Sequence, residues 1–182
     1  VSSAASDVYK RQPTRSVGID FGTIATANIG RIKILNNKIR AIYGNADSAI
    51  GVNLAPANST HTIDVQVDGN SITQIGNPTS TDAVGIYLDS VSSASISNNS
   101  VSYVITSSPV SFATCIALKD CGVVPGIVAG VSVHNNRLVQ AWNGSGAPRY
   151  GTNVYLFGSV HNTDISKNVL NHLVCSGLSY PL

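Results

Sequence analysis

Apolar residues return along this chain at short intervals, in two patterns that alternate strictly. The first is apolar, any residue, apolar, two variable residues, Asn, any residue, apolar. It reads IKILNNKI at 32–39, VQVDGNSI at 65–72 and ASISNNSV at 94–101, then VSVHNNRL at 131–138 and TDISKNVL at 163–170. Its asparagines are Asn37, Asn70, Asn99, Asn136 and Asn168, at spacings of 33, 29, 37 and 32 residues. The second pattern is a short apolar, any, apolar segment, usually after a glycine or small residue. It reads GIDF at 18–21, GVNL at 51–54, GIYL at 85–88, CIAL at 115–118 and NVYL at 153–156.

A period of two inside each segment turns one face of a strand inward and the other outward. Segments this short cannot bury an apolar face alone. Stacked coil upon coil at about 4.8 Å, each strand gains two parallel neighbours and the inward residues fuse into one core. The sequence therefore predicts an all-β, right-handed, single-stranded parallel β-helix of about five coils. Its expected core runs from Ile19, Phe21, Ile32, Ile34 and Ile39 in the first coil to Leu156, Ile165 and Leu170 in the last. The Asn column is expected at the bend between two strands. Asn tolerates positive φ there better than other non-glycine residues, and its side chains can hydrogen-bond from coil to coil as a ladder.

These repeats resemble the pectate-lyase-like superfamily, whose coils share the strand, Asn-containing turn, strand signature. The resemblance covers residues 17 to about 174. It implies the β-helix fold, but it does not choose an activity, because the superfamily includes lyases, hydrolases, epimerases, viral tailspikes and adhesins.

Composition narrows the picture. Only 11% of residues are charged, and the acids are nine Asp with no Glu. A surface of exposed helices normally needs Glu, Lys and Arg, whereas Ser, Thr, Asn and Gly suit strands joined by many turns. A net charge of +2 is too small for a nucleic-acid groove. No apolar run approaches a membrane span. Cys115, Cys121 and Cys175 lack metal-type spacing and read as small buried hydrophobes, with a Cys115–Cys121 bridge as an alternative. Residues 1–12, VSSAASDVYKRQ, resemble a translated sequencing-adapter remnant and are set aside as a disordered, non-native leader. Residues 13–182 are expected to form a β-helix domain fragment, truncated at both ends, with a sixth strand beginning at 177–180.

Asp89 and Asp120 close equivalent short strands in adjacent coils and are the candidate catalytic pair, since glycosidic cleavage uses two facing carboxylates. Turn carboxylates that accept backbone N–H groups are the alternative. Tyr87 and Tyr155 share an outward column two coils apart. Tyr43 and Trp142 stand at equivalent places six residues after their column Asn. These four are the candidate sugar-binding aromatics. Arg31, Lys33, Lys38, Arg40 and Arg137 dot one outer face and could attract an acidic polysaccharide. No metal site and no cofactor are expected. The functional expectation is a carbohydrate-directed β-helix, binding or depolymerising a polysaccharide or cell-surface glycan as a hydrolase or lyase. It would sit in a phage tailspike or secreted protein, so extracellular, at a cell surface or on a virion. A homotrimer is expected by analogy only. The alternative is a non-catalytic rod or spacer of an adhesin, surface protein or tail fibre.

Overall fold

The computed structural model describes residues 16–21, 31–44, 47–55, 64–106, 112–122, 130–143 and 151–175, without the side chains of 140, 142–143 and 172–175. The adapter-like leader, the expected strand at 177–180 and the Trp142 side chain lie outside the described residues. Within them the chain is all β, with fifteen strands and no helix.

The strands form three five-stranded sheets in which every pairing is parallel. Sheet A contains β1 (Ser16–Asp20), β4 (Ala49–Leu54), β7 (Ala83–Asp89), β10 (Ala113–Lys119) and β13 (Gly151–Phe157). Sheet B contains β2 (Arg31–Leu35), β5 (Asp64–Asp68), β8 (Ser93–Ser97), β11 (Val131–His134) and β14 (Thr163–Ser166). Sheet C contains β3 (Lys38–Ile42), β6 (Ser71–Ile75), β9 (Ser100–Thr106), β12 (Arg137–Asn143) and β15 (Val169–Cys175). The chain visits A, B and C in turn and steps one strand along each sheet, which is a parallel β-solenoid. Its closed part amounts to about three turns rather than the five expected, because among the described residues the first and last strand of every sheet pair on one side only.

One apolar core fills the space between the sheets. Val52, Ile86 and Ile116 of sheet A face Val67, Ile96 and Val133 of sheet B and Ile72, Val101 and Leu138 of sheet C. The expected core holds in the middle of the solenoid and fails at its end. Leu156, Ile165 and Leu170 are 42%, 41% and 43% exposed, since among the described residues no further coil covers β13, β14 and β15. Ile19, Phe21 and Val154 are partly buried against the core.

The Asn ladder is present, but its asparagines are not the left-handed residues. Positive φ falls one position earlier, at Asn36, Gly69, Asn98, Asn135 and Lys167. That residue makes the bend, and the column Asn can then point inward. Each Oδ1 accepts both the backbone N–H and the Nδ2 of the Asn in the preceding coil, at 2.9–3.0 Å from Asn37 to Asn168. Each Nδ2 from Asn70 onward also donates to a strand carbonyl of the preceding coil, namely Ile34, Val67, Ile96 and Val133. A buried amide needs its donors and acceptors used, and this geometry uses them at every level.

Candidate functional site

Sheet A carries Asp89 and leads directly into Asp120, the two sequence-predicted catalytic residues, and its register orders the side chains of its outer face. In parallel pairing the side chains of one register position form a column up the solenoid. Tyr87 pairs with Ala117, and Ala117 with Tyr155. The two tyrosines therefore share one outward column with a small residue between them. Phe157 ends the neighbouring column, Asp89–Lys119–Phe157. The gap over Ala117 lets the rings converge. Tyr87 stacks on Phe157 with centroids 6.3 Å apart, Phe157 on Tyr155 at 5.1 Å, and Tyr155 meets Phe112 at 5.4 Å. Ala117 is buried beneath them, with Ile50 and Val84 in a second small apolar cluster.

Asp89 is not in register with Asp120. Its register partner is Lys119, whose Nζ donates to Asp89 Oδ2 at 2.9 Å. Tyr87 Oη donates to the same oxygen at 3.0 Å, and Ser90 Oγ to Oδ1 at 2.8 Å. The hydrogen bond from Lys119 to Asp89, their charge attraction and the charge of Asp120 all raise the Lys119 pKa. Asp120 occupies the next position, at φ 49, where neighbouring coils place Ser90 and Gly158, also at positive φ. Its Oδ1 accepts the Ser159 N–H at 2.7 Å. A Cβ on Gly158 would stand 2.2 Å from that same oxygen, so the glycine makes room for the carboxylate. The arrangement gives Asp120 a turn-bracing bond and gives Asp89 an ion pair with the Lys119 of its own column.

Next to Tyr87 in the same column stands Asn53, followed by Asp20. Asn53 Nδ2 donates to Asp20 Oδ1 at 2.6 Å, while the buried Asn53 Oδ1 has no partner among the described residues. At the opposite end of the strands, Asp82 accepts from Phe112 N–H and Ser48 Oγ. Burial raises its pKa, those two bonds oppose the rise, and the Asp47 charge adds to it.

The other candidates lie elsewhere. Tyr43 is 43% exposed just beyond β3. Trp142 pairs with Ile105 in sheet C, a different sheet from the Tyr87–Tyr155 column. Sequence reasoning brought together Tyr87 and Tyr155 but missed Phe112, Phe157 and Lys119. The column Asp89–Lys119–Phe157 was available by extending the GIYL, CIAL and NVYL alignment one residue further. Cys115 and Cys121 are both free thiols and form no bridge. Cys115 is buried and pushed up to about 12, chiefly by desolvation. Cys121 is raised for the same reason. Among the described residues no group of three or more His, Cys, Asp or Glu could hold a metal, and no helix is long and apolar enough to cross a membrane.

Comparison with family models, with curated proteins and with solved structures finds no match to this chain.

Proposed function

We propose that this chain is a carbohydrate-directed β-solenoid segment that binds a polysaccharide along the outer face of sheet A without cleaving it. The observation that carries this reading is the ring series Phe112, Tyr155, Phe157 and Tyr87 beside the Asp89–Lys119 pair. Partly exposed rings offer apolar surface to the C–H faces of sugars, and adjacent charged groups offer hydrogen bonds to their hydroxyls. Parallel strands hold both in fixed register, so little order has to be imposed on binding. Cleavage is left out of the proposal because both oxygens of Asp89 already accept protein donors and Asp120 stands in a different column. In this reading the solenoid is right-handed, as parallel crossovers almost always are. Its setting is the cell surface, a virion or the extracellular medium.

Titration with a panel of neutral oligosaccharides, read by calorimetry, tests it. Tyr155→Ala and Tyr87→Ala should each weaken binding about fivefold, equivalent to roughly 1 kcal/mol of aromatic contact. Unchanged affinity in both variants, or no binding by the parent chain, would sink the reading.

A structural rod or spacer is the second reading. It draws on the Asn ladder, which runs unbroken from Asn37 to Asn168, and on the aromatic rings spending part of their surface on Ala117 and on each other. A blank glycan panel with high resistance to unfolding would favour it.

A further inference from the structure

The outer face of sheet B carries a charge pattern that reverses from one end of the solenoid to the other. Its register forms two outward columns. One runs Lys33, Gln66, Ser95, Ser132, Asp164, and the other Leu35, Asp68, Ser97, His134, Ser166. In the first column a cation stands two strands before Ser95 and a carboxylate two strands after it. In the second a carboxylate stands one strand before Ser97 and an imidazole one strand after it. Ser95 and Ser97 both lie on β8, so the two columns are centred on one line across the sheet.

The groups at these four positions have bonding capacity left over. The ion pairs among the described residues are Arg31–Asp64 and Lys119–Asp89, and neither includes Lys33 or Asp164. Both of those residues are exposed. Asp68 accepts Ser97 Oγ at 2.7 Å and Asn98 Nδ2 at 2.8 Å, both on Oδ1, which leaves Oδ2 able to accept more. His134 turns Nδ1 to Ser132 Oγ at 3.3 Å, which leaves Nε2 for another bond. The two columns contain no Phe, Tyr or Trp to hold a second surface away.

We propose that the outer face of sheet B docks a second copy of this chain, related by a two-fold axis lying along β8, with the two solenoids antiparallel. Rotation about that axis keeps each column opposite itself and reverses the order of the coils. Lys33 then meets the partner's Asp164, and Asp68 meets the partner's His134. Each contact occurs twice, as an isologous interface requires. No like charges are opposed: Arg31 comes opposite the partner's Asn162, and Asn36 opposite the partner's Lys167. A parallel association through this face, threefold or otherwise, brings equal levels together, cation near cation and carboxylate near carboxylate, which is unfavourable. Five strands span only about 24 Å of axis. So small a face gives a dimer of roughly micromolar affinity that salt weakens. This interface does not rest on the sheet A reading, because it occupies a different sheet and leaves the rings of sheet A open.

Sedimentation velocity of the whole chain over a concentration series, at low and high salt, is the test. It should show a reversible dimer that loosens as salt rises. Lys33→Asp sets a carboxylate against the partner's Asp164 and should weaken the dimer at least about tenfold. Asp164→Lys should do the same with cations. The double variant Lys33→Asp, Asp164→Lys exchanges the two charges and should return affinity to within about threefold of the parent. Both side chains are exposed, so circular dichroism should be unchanged in all three. Two cysteine variants in a Cys175→Ser background report the axis, since Cys115 and Cys121 are buried. Ser95→Cys lies on the axis and should cross-link to its own copy through a short bismaleimide. Lys33→Cys stands about 19 Å from its copy, four strand spacings away, and should not. A parent chain that stays monomeric at high concentration, or forms a trimer, overturns the proposal. So does a dimer that neither single reversal weakens, a double variant as weak as the singles, or cross-linking through Lys33→Cys.

Discussion

At the scale of single residues, the ladder asparagines show how one side-chain type can be required by its neighbours above and below. Asn99 Oδ1 accepts Asn70 N–H and Nδ2, while its own Nδ2 donates to Val67 O and Asn136 Oδ1. Replacing it with Ala strands buried partners on two adjacent coils. We expect Asn99→Ala to cost about 2–4 kcal/mol in a denaturant melt. Asn168→Ala, at the half-buried end of the ladder, should cost about 1 kcal/mol. Sequence spacing revealed the column because each Asn sits at a fixed place between two apolar positions. It did not reveal which residue takes positive φ, since Asn36, Asn98 and Asn135 are themselves asparagines one position earlier.

Two aspartates respond to pH in opposite senses. Asp68 is lowered from 3.8 by hydrogen bonds from Ser97 and Asn98, and further by His134. Its stabilising contribution is present above 3.8 and is lost as pH falls through the lower folded value. Asp82 is raised from 3.8 by burial. Its folded state holds the proton more tightly, so its contribution is present below 3.8 and is lost as pH rises through the higher folded value. Thermal melts should show Asp68→Asn less stable than the parent chain at neutral pH. Asp82→Asn should be more stable there. Both differences should shrink toward strong acid, and a gap that persists in acid for either variant would contradict this account.

At the scale of elements, the sheets differ in how closely they follow a period of two. Sheet B alternates cleanly, and Ile32, Ile34, Val65, Val67, Ile96 and Val133 were legible from that alone. Sheet C does not: Ala41, Gln74 and Tyr103 take left-handed conformations inside the strand and shift the next residue back to the interior. Ile42, Ile75 and Val104 are buried for that reason, and no alternation rule applied to the repeat would have placed them. The ion pair of Asp89 with Lys119 is likewise invisible to a repeat rule, since it exists only across two strands thirty residues apart in sequence.

Sheet A has its own constraint. A Cβ at Gly85 would meet Val101 Cγ1 at 2.4 Å and the Cys115 carbonyl at 2.5 Å. One of those atoms is backbone of the adjacent strand and cannot yield cheaply. We expect Gly85→Ala to destabilise by roughly 1–3 kcal/mol. The accompanying readout is thiol labelling: Cys115, held near 12 by burial, should react slowly in the parent chain and faster in the variant. A Cys175→Ser background keeps the signal to Cys115 and Cys121.

At the scale of the whole molecule, the solenoid is a one-dimensional stack in which each coil is stabilised by those beside it. The same residue type in the same column should therefore matter differently by level. Leu138 and Leu170 provide that comparison, for they are register partners on β12 and β15. Leu138 is fully buried between two strands, whereas Leu170 is 43% exposed on an edge strand. Truncating a buried leucine to alanine costs the transfer energy of its methyl groups plus the cavity they leave, about 2–5 kcal/mol. Leu170 has given up only part of its surface and leaves no closed cavity, so its loss should cost roughly 1 kcal/mol or less. Because stacked repeats open from their ends, amide hydrogen exchange is the suitable measurement. β6, β9 and β12 should protect most strongly and β15 least. Leu170→Ala should loosen β15 alone, while Leu138→Ala should loosen β9, β12 and β15 together. Equal and uniform loosening by both variants would mean that the stack unfolds as one unit. Stability would then belong to the whole core rather than to contacts between neighbouring coils.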